Sequence, residues 1–118
     1  MARRYKVYAA ETGISYQYFF AKRWRVNRPE GPGPGSDYVF VVTADQHPPF
    51  TTRVFVSDRG VTAWKQAHGR ELDPNEMYAV AKLRLFRGFD EIERLREACL
   101  SLLVDETNIE LILEPLGL

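Results

Sequence analysis

The residues whose types and spacing most clearly carry chemistry are concentrated at the start of the chain. Residues 1 to 28 hold seven basic groups (Arg3, Arg4, Lys6, Lys22, Arg23, Arg25, Arg28) and seven aromatics (Tyr5, Tyr8, Tyr16, Tyr18, Phe19, Phe20, Trp24). On a sheet surface such a mixture suits single-stranded nucleic acid, with cations on phosphates and rings stacked on bases. Arg4, Lys6, Phe19, Arg23 and Arg25 are the candidate contacts to nucleic acid or to a protein partner. The same mixture also builds an ordinary half-buried sheet. Alternation puts Tyr16, Tyr18, Phe20 and Trp24 on one face, as core. Gln17, Phe19, Arg23 and Arg25 then share the other face, toward solvent or a partner.

Other chemistries find less in the residues. The two histidines, His47 and His68, lack His-x-x-x-His or Cys-x-x-Cys surroundings, and nothing specifies a metal or a cofactor. No serine lies in a Gly-x-Ser-x-Gly elbow. The Pro/Gly run at 29–36 lacks the Gly-Lys-Ser/Thr ending of a phosphate loop, so it reads as a connector. The lone cysteine, Cys99, cannot form an internal disulfide and falls on an apolar helix stripe, where it acts as a small hydrophobe. The alternative to a binding domain is a small enzyme with an acid/base pocket near the 45–50 turn and the 58–71 segment. It would use Asp45, Asp58, His68 and Glu71, with Arg59 beside them.

The elements that must position these groups follow from periodicity. Arg4 to Ala10 and residues 14 to 26 alternate around a Thr12-Gly13 turn, an antiparallel hairpin. Tyr38 to Ala44 and Thr51 to Ser57 are further strands, and Asp58-Arg59-Gly60 reads as a turn. Val61 to His68 is a short helix stopped by Gly69. Asp73-Pro74-Asn75-Glu76 opens another with a capping box, running to Arg87 with Gly88 as its stop. A helix from Asp90 to Val104 carries Ile92, Leu95, Cys99, Leu102 and Leu103 on one stripe. Asn108 to Glu114 alternates and reads as a closing strand.

The expected architecture is a single α+β domain over residues 1–118. A four-strand N-terminal meander and a C-terminal strand form a mostly antiparallel sheet, packed by two or three helices. Net charge is zero but unevenly spread: residues 1 to 28 sum to +6 and residues 90 to 118 to −6. The two ends either pack together and offset each other, or leave the basic strands for a polyanion. The sequence shows no apolar run near the roughly 20 residues of a membrane span and no secretory stretch after the basic start. The expectation is therefore a cytoplasmic interaction domain without a membrane partner. An exposed aromatic edge strand makes a homodimer a further expectation.

Overall fold

The computed structural model describes residues 4–44, 48–91 and 101–118. Strands β1 (Lys6–Ala9), β2 (Ser15–Arg28), β3 (Gly33–Ala44) and β4 (Phe50–Ser57) are followed by helices α1 (Asp58–His68) and α2 (Pro74–Glu91). Strand β5 (Ser101–Val104), helix α3 (Ile109–Leu113) and a 3-10 turn at Glu114–Leu116 close the chain. The sheet order is β1-β2-β3-β4-β5, antiparallel throughout the first four strands, with β5 parallel to β4. The α+β expectation holds: among the described residues a five-stranded, mostly antiparallel sheet carries three helices. One hydrophobic cluster joins Tyr16, Tyr18, Phe40, Val42 and Val54 of the sheet to Trp64 of α1, Leu85 and Phe89 of α2, and Ile112 of α3.

The local signals with chemical content are realised. Asp73 Oδ1 accepts the Glu76 N–H at 2.8 Å and Glu76 Oε1 accepts the Asp73 N–H at 3.0 Å, a reciprocal capping box. Gly69, at φ +74°, ends α1 and donates its N–H to Lys65 O at 2.8 Å. Helix α1 begins earlier than expected. The Ser57 hydroxyl accepts the Gly60 N–H at 3.0 Å, so Asp58-Arg59-Gly60 is the first helical turn and not a connector.

Four expected boundaries move, each for a physical reason. The 29–36 loop shrinks, because Gly33 to Ser36 already belong to β3. A Cβ on Gly35 would lie 2.5 Å from Val56 O and from the Phe55 ring, so glycine is what lets β4 close on β3 there. Helix α2 passes through Gly88. An interior glycine costs about 1 kcal/mol, but continuing the helix buries Phe89, a gain of about 1.5–3 kcal/mol. The Phe89 ring stacks on Tyr16 with centroids 4.1 Å apart. The expected helix from Asp90 to Val104 is overturned at both ends, since α2 runs on to Glu91 and Ser101 to Val104 form β5. Ile92, Leu95 and Cys99 lie outside the described residues. The expected closing strand at Asn108 to Glu114 is helix α3. Ile109, Ile112 and Leu113 are buried while Leu111 is exposed, which is helical and not two-residue spacing. An Asp105–Asn108 turn, with the Asp105 N–H donated to Asn108 Oδ1 at 2.9 Å, launches it.

Strand β1 is held to the C-terminal end of α2. The Tyr8 ring stacks on Phe86 at 4.2 Å and its hydroxyl donates to Asp90 Oδ2 at 2.7 Å. Burial first, then the Asp90 hydrogen bond, pushes the Tyr8 phenol up to about 12. A pKa raised above the unfolded value of 10 stabilises the fold fully below pH 10, and the contribution is lost as pH rises through about 12. Tyr8→Phe should therefore flatten the alkaline limb of the stability profile over that window, measured by urea unfolding at stepped pH. For the α2 cap, Asp73→Ala should lower stability by about 0.5–2 kcal/mol in the same assay at neutral pH.

Candidate functional site

Strand β2 changes face partway along. Its register with β3 runs from Tyr16↔Ala44 to Phe20↔Phe40, then resumes at Lys22↔Val39, so Ala21 is an extra residue in a β-bulge. Before it, Tyr16, Tyr18 and Phe20 point to the helices. After it the parity reverses, and Lys22, Trp24, Val26 and Arg28 lie on the face away from the helices. Arg23 and Arg25 turn to the helix side, opposite Tyr38 and Ser36. This corrects the expected face assignment: Trp24 is 38% exposed and not core, and Arg23 and Arg25 do not share a face with Gln17 and Phe19. A signal was present in Lys22. Unbroken alternation would have put its ammonium among Phe20, Tyr38 and Phe40, where an unpaired charge is costly.

Away from the helices, two rows of side chains cross the sheet. One runs Trp24–Asp37–Phe55–Leu103 and the other Lys22–Val39–Arg53–Ser101. Lys22 Nζ stands 4.4 Å from the Trp24 ring centroid and the Arg53 guanidinium carbon 5.9 Å from it. The Arg28 guanidinium lies 4.6 Å over Phe55, which is buried although it is no member of the helix-side cluster. Beneath them Asp37 is 1% exposed. Its carboxylate accepts two bonds from Arg28, at 3.2 and 2.8 Å, and one from Trp24 Nε1 at 3.4 Å. Tyr5 meets Phe19 edge to face at 5.0 Å, extending the aromatic surface toward β1. Among the described strand residues this face carries Lys22, Arg28 and Arg53 against Asp37.

The five candidate contacts are thus divided. Phe19 lies on the open face, and Arg4 is exposed just before β1. Lys6 pairs with Tyr18 on the helix side, near Lys82 of α2. The Lys82 ammonium is pushed down, chiefly by burial and also by the Lys6 charge. Arg23 borders a cleft beside α2. Arg25 grips Asp58 with both terminal nitrogens and donates to the Ser36 hydroxyl at 3.2 Å, so it fastens β2 to the start of α1. That hydrogen bond holds the Asp58 carboxyl below its usual range. Lys22, Trp24 and Arg53, the groups the open face brings together, were missed because the bulge and the β3–β4 register assemble them.

The acid/base grouping does not form among the described residues. His68 stacks on Trp64 at 4.2 Å and bonds Glu110 at 2.8 Å, whereas Glu71 takes the Lys65 ammonium at 3.0 Å. Arg59 lies instead beside Gly33. Asp45 and His47 are outside the described residues. Among the described residues no helix is long and apolar enough to cross a membrane. Comparison with protein-family models, with curated proteins and with solved structures finds no match to this chain.

The buried Asp37 carboxylate gives this face a measurable dependence. Arg28→Met should cost about 3–5 kcal/mol, because it strands a charge in a site closed to water. Combining it with Asp37→Asn should recover part of that loss, a coupling read from a double-mutant cycle of urea midpoints.

Proposed function

We propose that this protein is a binding module that takes single-stranded nucleic acid on the open face of its sheet. Trp24 is the stacking ring, and Lys22 and Arg53 contact the phosphates. The observation that carries this reading is the placement of two cations against an exposed tryptophan on a face whose one acid among the described strand residues, Asp37, is buried and paired with Arg28. A base on an aromatic ring contributes about 1–3 kcal/mol, and every base has a face to offer. Phe19 and Tyr5 extend the ring surface along the strand direction. The face is positive, which fits a polyanion. It fits a second copy less well, since a face-to-face dimer would oppose Lys22 and Arg53 to their own equivalents. A cytoplasmic location goes with this reading.

A homodimer has one observation for it and one against it. β1 pairs only with Ser15 to Tyr18, so β2 from Lys22 to Arg28 forms a sheet edge among the described residues. That edge carries Lys22, Arg23 and Arg25 and a bulge, the features that keep an edge strand from pairing with a neighbour.

Fluorescence titration with oligo(dT) or oligo(U) tests the reading, because Trp64 is buried and Trp24 supplies the responsive signal. Binding at low salt should quench Trp24 and weaken as salt rises. Lys22→Gln and Arg53→Gln should each lower the slope of log K against log salt by about 0.7, the single-strand value per phosphate contact. Trp24→Ala, followed by anisotropy of a labelled oligonucleotide, should weaken binding and leave the slope unchanged. A flat titration at low salt overturns the proposal. A concentration-dependent dimer that Arg23→Glu dissociates would favour the edge-paired homodimer instead.

A further inference from the structure

Behind the bulge, on the helix side of the sheet, a cleft of about 360 Å³ opens between β2, β3 and the first turn of α2. Its walls are Phe20, Arg23, Tyr38, Pro74 and Tyr78. Three of these are aromatic, with Phe20 set 5.2 Å from Tyr78 at 70° and 6.2 Å from Tyr38. The cleft is shallow and largely open to solvent, with room for a one- or two-ring molecule to lie against its walls. The acids near its mouth are occupied: Asp73 caps α2, and Glu76 accepts both Arg70 and the Asp73 N–H. Arg23 is therefore the charged wall residue, and it has no carboxylate partner among the described residues.

Tyr38 adds an independent observation. It is 2% exposed, and its hydroxyl proton has no acceptor, because the group that reaches the oxygen, the Arg23 guanidinium, can only donate. Buried polar groups are almost always satisfied, and an unsatisfied one beside a cleft is a mark of a missing acceptor. The guanidinium of Arg23 is close enough to act on this phenol, pulling its pKa down against the larger upward push of burial.

We propose that this cleft is a binding site for a small aromatic carboxylate, with the ring lying against the edge-to-face pair of Phe20 and Tyr78 and the carboxylate on Arg23. A carboxylate held there also brings an acceptor to the Tyr38 hydroxyl. The cation sets the sign of the ligand: a cage of rings alone would suit an ammonium group, and Arg23 excludes one. The site is on the opposite face from Trp24 and stands whether or not the open face binds nucleic acid.

The test is a backbone and aromatic NMR titration of the full chain with indole-3-acetate, and in parallel with its neutral amide, indole-3-acetamide. Saturable shifts should centre on Phe20, Tyr38 and Tyr78, with the acid binding about tenfold more tightly than the amide. Arg23→Gln changes an exposed side chain, so the fold should persist. It should abolish the preference for the acid while leaving the amide's affinity in place. Tyr38→Phe should weaken the acid severalfold. Absence of saturable shifts at these residues overturns the proposal, and so does equal binding of acid and amide to the unaltered protein. Lys22→Gln, on the other face, should change neither titration.

Discussion

A strand with one buried face can exchange its faces only by adding or losing a residue, because its side chains repeat with a period of two. β2 makes that exchange at Ala21. Its first half supplies Tyr16 and Tyr18 to the core, and its second half would otherwise send Lys22 into the same apolar layer. The extra residue moves Lys22 and Trp24 out, and brings Arg23 to the rim beside Tyr38 and Tyr78. Both candidate binding surfaces, the open face and the cleft, are consequences of that single insertion.

The charges follow from the same geometry. The basic N-terminal block is not neutralised by the acidic C-terminal block through any ion pair among the described residues. Arg25 and Arg28 draw their partners, Asp58 and Asp37, from the middle of the chain. Glu110 instead pairs with His68 across α3 and α1, and Glu91 with Arg87 within α2. Exposed pairs of this kind add little to stability, whereas the buried Asp37 has to be matched. Lys22, Arg23 and Arg53 are left with no carboxylate among the described residues, and these are the cations at the two surfaces.

Parallel β5 shows how the helices and the open face are connected. Leu102 and Val104 enter the core while Leu103 ends the row that begins at Trp24. The strand reaches that place after α2 has crossed the helix side of the sheet, so the last strand serves both layers. Its four residues also alternate in burial, which the longer apolar stripe read as a helix conceals.

Sequence alone determined the features encoded within a few residues. The Thr12-Gly13 hairpin, the Asp73–Glu76 capping box and the Gly69 helix stop each depend on backbone groups no more than four residues away. The α+β class was legible too, since alternation dominates the first half and helical spacing much of the second. Tertiary structure decided the rest. Asn108 to Glu114 satisfies both periods, because Ile109 and Leu113 belong to either pattern, and only packing against the core selects Ile112 over Leu111. Alternation alone assigns Trp24 to the core, because the extra residue at position 21 reverses every face after it. Whether a strand bulges depends on what its neighbours can bury, and for β2 those neighbours are Tyr38 and Phe40, well separated in the chain. Faces are sums over a whole register, whereas caps and turns are local, and that difference in range separates what could be read from what had to fold.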